Sequence, residues 1–157
     1  MRSIANLIAL AWLPLAVSSA NAADLPAKFD PSRDAAADIA YATSLAKEQG
    51  KRVIVDVGGE WCVWCHIMDD FIAANPDVRA AVDANYVLVK VNWSRENKNE
   101  AFLSAYPRIN GYPHLFVLDG DRKLVHSQET DVLEQGRGYD KAKFLAFLWK
   151  WALPRSA

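Results

Sequence analysis

The chain has 157 residues, with 18 Lys and Arg side chains, 19 Asp and Glu side chains and a net charge of -1. Charges of both signs are interspersed, so nothing in the charge pattern favours binding to nucleic acid or to an anionic membrane surface. The length is sufficient for one domain with a buried core.

The N-terminal segment has the pattern of a secretory signal peptide. Arg2 precedes an apolar run over residues 4–17, and Ala20 and Ala22 form a cleavage site of the A-x-A type. The apolar run is shorter than the roughly 20 residues of a membrane span. It is also interrupted by Pro14. We therefore predict a cleaved signal peptide rather than a membrane anchor.

Cleavage would divide the chain into a signal peptide, residues 1–22, and a single mature domain, residues 23–157. The mature part has 135 residues with 17 basic and 19 acidic side chains. Export predicts a periplasmic location if the organism is Gram-negative. Exported proteins normally use cysteines to join distant segments, but Cys62 and Cys65 would close only a tiny loop, with little effect on the unfolded chain. A chemical role therefore explains this cysteine pair better than a role as a stabilising disulfide does.

Helical and β-branched segments alternate along the mature domain. Asp30 followed by Pro31 predicts a helix N-cap, with Gly50 as the stop, and the β-branched residues 53–57 predict a buried strand. Residues 94–99 and 129–139 are predicted loops. The predicted elements in chain order are helix 30–49, strand 52–57, helix 62–74, helix 75–85, strand 86–93, helix 100–106, hairpin strands 114–119 and 123–128, and helix 140–151.

This order of elements predicts an α/β fold. Strands separated by helices imply right-handed crossovers and a parallel pair, and the hairpin adds antiparallel strands. We expect a mixed central sheet of about four strands with helices on both faces. In the last helix, the helical spacing of Phe144, Phe147, Leu148 and Trp151 indicates core packing.

The two cysteines stand at positions i and i+3 where a helix is expected to begin. Unpaired backbone N–H groups and the helix dipole stabilise a thiolate there. Cys62 would then attack a substrate disulfide, and Cys65 would resolve the resulting mixed disulfide. By itself, the Cys-x-x-Cys motif also fits half of a zinc site.

Two segments together resemble the thioredoxin family. Residues 55–65, Val-Asp-Val-Gly-Gly-Glu-Trp-Cys-Val-Trp-Cys, are similar to the active-site segment, and residues 111–117 to the cis-proline loop and the strand after it. Residues 119–121 resemble the hairpin turn that follows. The resemblance covers about residues 53–125 and implies a thioredoxin-like fold and thiol-disulfide oxidoreductase activity without a bound cofactor or metal.

The resemblance also implies roles for individual residues. Cys62 is expected to be the nucleophile, Cys65 the resolving thiol, and Asp56 a buried carboxylate of raised pKa that takes the proton from Cys65. Pro113, in cis, would place the backbone of Tyr112 beside the disulfide, where an extended substrate chain can pair with it.

Several positions depart from the usual thioredoxin pattern. Val63-Trp64 replaces Gly-Pro, His66 replaces Lys, and no N-terminal strand is recognisable. These changes resemble the exported branch of the family, including the C-terminal domain of the transmembrane reductase. We expect a monomeric reductant of protein disulfides, with dithiol proteins and a membrane electron donor as candidate partners. Trp61 and Trp64 would form an apolar substrate rim; ordinary core packing is the alternative, and it suits Trp61 better than Trp64.

Three alternatives use the same residues. Residues 62–66 read Cys-x-x-Cys-His, which is also the attachment signature of c-type haem, with His66 as proximal ligand. Met68 is too close to His66 to be the distal ligand, so His114 or His126 would be needed. A metal-handling module would use the same cysteines and His66, with Met68. A thioredoxin-fold binding module without redox activity is the third alternative.

Overall fold

A computed structural model describes residues 24–154. The predicted signal peptide lies outside this range. The bounds of the helices and strands in chain order are α1 (Ala35–Gln49), β1 (Arg52–Gly58), α2 (Val63–Ala74), α3 (Pro76–Asn85), β2 (Tyr86–Asn92), α4 (Glu100–Leu103), β3 (His114–Leu118), β4 (Leu124–Glu129), β5 (Glu134–Gln135), β6 (Gly138–Tyr139) and α5 (Lys141–Lys150).

The central sheet has four strands in the order β2-β1-β3-β4. β1 pairs with β2 in parallel and with β3 antiparallel, and β4 is antiparallel to β3. The prediction of an α/β fold with a mixed four-stranded sheet is therefore confirmed. The register places Asp56 of β1 directly opposite Lys90 of β2 and Leu115 of β3.

Helices cover both faces of the sheet. Val53, Val55 and Val57 point to the face that α1 covers, whereas Ile54 packs with α2, α3 and α5 on the other face. Because side chains alternate along a strand, Asp56 shares the face of Ile54. Both faces of β1 are buried, which explains its nearly continuous apolar sequence.

The last helix packs as the sequence predicts. Phe144, Phe147 and Leu148 are buried in the core on the α2 side, and Trp151 lies partly buried against it. No helix within residues 24–154 is long and apolar enough to cross a membrane.

The predicted start of α1 is wrong. The helix begins at Ala35, because the carboxylate of Asp34 accepts hydrogen bonds from the N–H groups of the first turn. Asp30 instead closes a local turn in which its carboxylate accepts from Ser32. The predicted end is confirmed: Gly50 adopts a left-handed conformation with φ of 62°, which suits glycine.

Further details of the elements differ from the prediction. α4 ends at Leu103, three residues early, and Asn75 gives α3 no side-chain cap because its amide donates to the Phe71 carbonyl. The predicted loop 129–139 contains a 3-10 turn and the hairpin of β5 and β6. Among residues 24–154, no strand precedes α1.

Candidate functional site

The cysteine pair lies where β1 passes into α2. Cys62 is the N-cap residue of α2, and its Sγ accepts a hydrogen bond of 3.1 Å from the N–H of Cys65. The turn between the two elements is closed by the Cys62 N–H, which donates to the Gly59 carbonyl. Cys62 and Cys65 are joined in a disulfide. A sulfur anion formed at Cys62 would therefore lie at the positive end of α2.

The disulfide is nearly enclosed. Cys62 is 3% exposed and Cys65 is fully buried, and both belong to a small apolar cluster with Phe29. The neighbours Trp61 and Val63 are in contrast exposed by 53% and 68%. A partner that reaches the Cys62 sulfur therefore has to contact these exposed side chains.

Three charged residues from β1, β2 and α2 form one hydrogen-bonded cluster. The Lys90 ammonium donates to Asp56 at 2.9 Å and to Asp69 at 2.7 Å. Asp56 is completely buried, Lys90 is 7% exposed, and Asp69 is partly exposed. The second carboxylate oxygen of Asp56 has no hydrogen-bond partner within the described residues.

Burial determines the protonation behaviour of this cluster. Loss of water raises the pKa of Asp56 to about 6, although the Lys90 charge opposes the rise. Burial alone would lower the pKa of Lys90, but the two carboxylates outweigh it and raise the pKa. Asp56 can therefore exchange a proton near neutral pH, whereas Lys90 stays charged. This is the behaviour expected of a proton acceptor with a fixed counter-ion.

The Tyr112–Pro113 loop packs beside the disulfide. Its peptide bond is cis, and the Pro113 carbonyl accepts a hydrogen bond from the Thr130 hydroxyl. The Tyr112 ring packs against the cysteine cluster, stacks on Trp93 with centroids 5.0 Å apart, and meets Trp61 edge to face. The structure thus brings the predicted loop and the cysteines together.

A pocket adjoins Trp61 on the side of the β2 end. Its volume is about 570 Å³, and it is lined by Trp61, Trp93 and residues 94–96. The Trp61 indole N–H donates to the Trp93 carbonyl at 2.8 Å, which fixes one wall. The pocket is therefore a preformed, largely apolar space beside Trp61, the residue that precedes Cys62.

The exposure of the two tryptophans in the motif is the reverse of the expectation. Trp61 is the exposed one, whereas Trp64 is partly buried, packs against the core and meets Tyr139 edge to face. The reason is position: Trp64 lies within the first turn of α2, on the side that faces β6. The expectation that core packing suits Trp61 better was wrong.

The histidines of the haem alternative have other contacts. The His66 ring nitrogen lies 2.9 Å from the Glu60 carbonyl. His114 is buried in β3 beside Ser127, and burial lowers its pKa. The His126 ring stacks on Trp151. Within residues 24–154, no group of three or more His, Cys, Asp or Glu side chains is arranged to hold a metal ion.

Sequence reasoning missed Phe29, Lys90 and Asp69. A charged residue inside the apolar strand run of residues 86–92 was a usable signal for Lys90, because a buried lysine needs a partner. The identity of that partner depends on the strand register, which places Lys90 directly opposite Asp56. Nothing local marks Phe29, which lies in a segment without regular structure.

Comparison with known proteins identifies a matching family model and similar curated proteins. The family model described as thioredoxin-like matches residues 34–120. The thiol:disulfide interchange protein DsbD of Klebsiella pneumoniae is 25% identical over 108 residues, which are 69% of this chain and 17% of that protein. DsbD of Escherichia coli K12 is 27% identical over 77 residues, 49% of this chain and 14% of that protein. The chain thus spans less than a fifth of these curated relatives.

Solved structures share the fold. A disulphide isomerase from Xylella fastidiosa Temecula1 superposes with a TM-score of 0.67 at 23% identity, covering 82% of this chain and 97% of that one. The oxidised C-terminal domain of Neisseria meningitidis DsbD gives 0.57 at 23% identity, covering 80% and 99%. These matches agree with the four-stranded sheet and its flanking helices.

Proposed function

The chain belongs to the thioredoxin-like family, and we propose that it is a thiol-disulfide oxidoreductase that reduces disulfides in exported proteins. The observation that carries the proposal is the Cys62–Cys65 disulfide at the start of α2, with the buried Asp56 carboxylate and its Lys90 counter-ion behind it. The proposal includes the direction of electron transfer, the surface that binds the substrate and the periplasmic location.

The proposed reaction has two exchange steps. In the reduced protein the Cys62 thiolate attacks one sulfur of a substrate disulfide, forming a mixed disulfide and releasing the other substrate sulfur as a thiolate. Cys65 then gives its proton to Asp56 and attacks the Cys62 sulfur, which releases the second substrate thiolate. The substrate gains two electrons and the Cys62–Cys65 pair loses two. A dithiol protein has to reduce the pair again.

The apolar surroundings of the cysteine pair support the proposed direction of electron transfer, from this protein to its substrate. The disulfide is uncharged and lies in an apolar cluster, whereas the reduced pair carries a thiolate that loses water there. Burial of this kind favours the oxidised state, and in this proposal it outweighs the stabilisation of the thiolate by the N-terminus of α2. A pair that is stable when oxidised gives its electrons away readily, which is the property of a reductant.

The substrate is proposed to bind across Trp61 and the Tyr112–Pro113 loop. Trp61 is exposed and adjacent to Cys62, so a chain in disulfide linkage to Cys62 must lie against it. Extended chains can pair with free backbone groups of such a loop. The pocket beside Trp61 offers space for an apolar side chain of the substrate, and Trp64 supports the rim from the core side.

The cellular setting follows from the N-terminal pattern. We propose that residues 1–22 are a signal peptide and that residues 23–157 act as a monomer beyond the inner membrane, in the periplasm of a Gram-negative cell. Because that compartment is oxidising, the pair would need a steady source of electrons, and a membrane dithiol protein is the proposed donor.

A redox titration of the purified mature protein tests the proposal. Tryptophan fluorescence in defined thiol/disulfide buffers should report a reversible two-electron transition, because Trp61 and Trp64 flank the pair. A midpoint near about -270 mV indicates a reductant, and one near about -120 mV an oxidant. Cys62→Ser is the control and should abolish the transition. A visible haem band, or a transition that survives Cys62→Ser, would contradict the proposal.

A further inference from the structure

Phe29 lies far from the cysteines in sequence but against them in space. It is 2% exposed and forms one buried cluster with Cys62 and Cys65. The Lys90 ammonium lies 4.2 Å from the centre of the Phe29 ring. One aromatic ring therefore contacts both the redox pair and the lysine that binds Asp56.

The segment that carries Phe29 is anchored on both sides. The Phe29 N–H donates to the Glu60 carboxylate at 2.9 Å, and Glu60 lies in the turn that leads to Cys62. Two residues later, the Pro31 carbonyl accepts from the Asn97 amide at 2.9 Å. Residues 24–34 have no helix or strand, so these bonds hold the ring in place.

Gly58 makes room for the ring. A Cβ atom at position 58 would lie 2.5 Å from the Cys65 Sγ and 3.0 Å from the Phe29 Cζ. The end of β1 therefore has no side chain where Phe29 and the disulfide meet. The Phe29 ring therefore occupies the space that a side chain at position 58 of β1 would need.

We propose that Phe29 is a positioning residue of the redox centre. Its ring keeps water from the Cys62–Cys65 disulfide and holds the Lys90 ammonium against Asp56, and it thereby favours the oxidised state. The inference rests on the proposed function, since it concerns the equilibrium between the oxidised and reduced states of the same cysteine pair.

The physical argument concerns the difference between the two redox states. The disulfide has no charge and loses little by contact with a ring, whereas the reduced Cys62 thiolate needs water or hydrogen-bond donors. The titratable and charged groups around the pair are the same in every Phe29 variant. They are Asp56 on β1, Lys90 on β2, Asp69 and His66 on α2, and Glu60 in the turn. Removal of the ring therefore changes the hydration of the pair and the position of Lys90, but it adds or removes no titratable group.

The test compares Phe29→Ala and Phe29→Leu with wild type and with Phe147→Leu, a matched change at a buried phenylalanine of α5. The equilibrium constant for reduction by dithiothreitol should shift toward the reduced protein by about fivefold in Phe29→Ala, because the reduced pair's thiolate gains water that the ring excludes in wild type. The shift in Phe29→Leu should be smaller, because leucine excludes water but offers no ring to Lys90. Phe147→Leu should leave the constant unchanged.

A second readout separates this inference from the proposed function. In the reduced protein, Phe29→Ala should speed alkylation of Cys62 by iodoacetamide severalfold, whether or not the pair reduces any substrate. Unchanged equilibrium constants and alkylation rates in both Phe29 variants would overturn the role of Phe29. If wild type shows no Cys62-dependent transition, the proposed function is wrong, and the alkylation rates alone then decide whether Phe29 shields the pair.

Discussion

The Lys90 ammonium donates to the Asp56 carboxylate across the parallel β1–β2 pair, with 2.9 Å between the nitrogen and the oxygen. The strand register places the two residues directly opposite each other, although 34 positions separate them in the chain. Asp69 from α2 accepts from the same ammonium. The proposed proton acceptor is therefore buried with a fixed positive charge, which lowers its pKa from the value that burial alone would produce.

Asp56→Asn should slow the second exchange step. Asparagine has nearly the same shape but cannot take the proton of Cys65, so release of the mixed disulfide should slow by about 10²-fold. In wild type this rate should rise with pH through the Asp56 pKa of about 6, and the variant should lack that rise. Rapid-quench measurement of the mixed disulfide checks both. Asp70→Asn, at an exposed position on α2, is the control; equal rates in the two variants would contradict the role of Asp56.

Asp56 should contribute a component of the stability of the oxidised protein that falls as pH rises from about 4 to 6. The folded state raises the Asp56 pKa from 3.8 to about 6, so it binds the proton more tightly than the unfolded chain. This contribution to the free energy of unfolding is complete below the Asp56 pKa of the unfolded chain, 3.8. It is lost as pH rises through the Asp56 pKa of the folded protein, about 6. Its size is about 3 kcal/mol. Urea unfolding at several pH values measures it.

Asp56→Asn should remove this component of the pH dependence and unfold at higher urea than wild type at pH 7. Lys90 keeps Asp69 as a partner in the variant, so no buried charge is left alone. A wild-type stability that rises between pH 4 and 6 by the same amount in both proteins would show that Asp56 is not the group responsible.

Gly58→Ala should destabilise the oxidised protein. The added methyl group would lie 2.5 Å from the Cys65 Sγ, closer than nonbonded atoms approach, so the strand end or the disulfide has to shift. Overpacking of this kind typically costs about 1–3 kcal/mol. Gly138→Ala, where no atom lies within 4 Å, is the matched control. Chemical unfolding of both oxidised variants gives the comparison, and equal stabilities would mean that the site accommodates the methyl group.

Trp61→Ala should weaken substrate binding more than it slows chemistry. Trp61 and Trp149 are both 53% exposed, but only Trp61 adjoins the disulfide, so Trp149→Ala is the matched control. With a disulfide-bonded protein as substrate, loss of an aromatic anchor should raise KM by about tenfold. The value of kcat should change little. A similar KM in both variants would remove Trp61 from the substrate surface.

Local sequence patterns were sufficient for most elements. The β-branched run of β1, Gly50 at the end of α1 and the spacing of Phe144, Phe147 and Leu148 depend on neighbours within a few residues. The same holds for the cysteines at the start of α2. The predicted cap of α1 was wrong: Asp30 was expected to cap the helix, whereas Asp34 accepts the N–H groups of the first turn.

The sequence by itself determined the α/β order, the motif and the presence of a carboxylate at position 56. Only the tertiary structure decided that Lys90 and Asp69 bind Asp56, that Phe29 covers the disulfide, and that Trp61 rather than Trp64 is exposed. The physical reason is distance along the chain. Helix and strand formation reflects short-range periodicity, whereas a buried charge cluster depends on strand register and on a segment returning from 33 residues before Cys62.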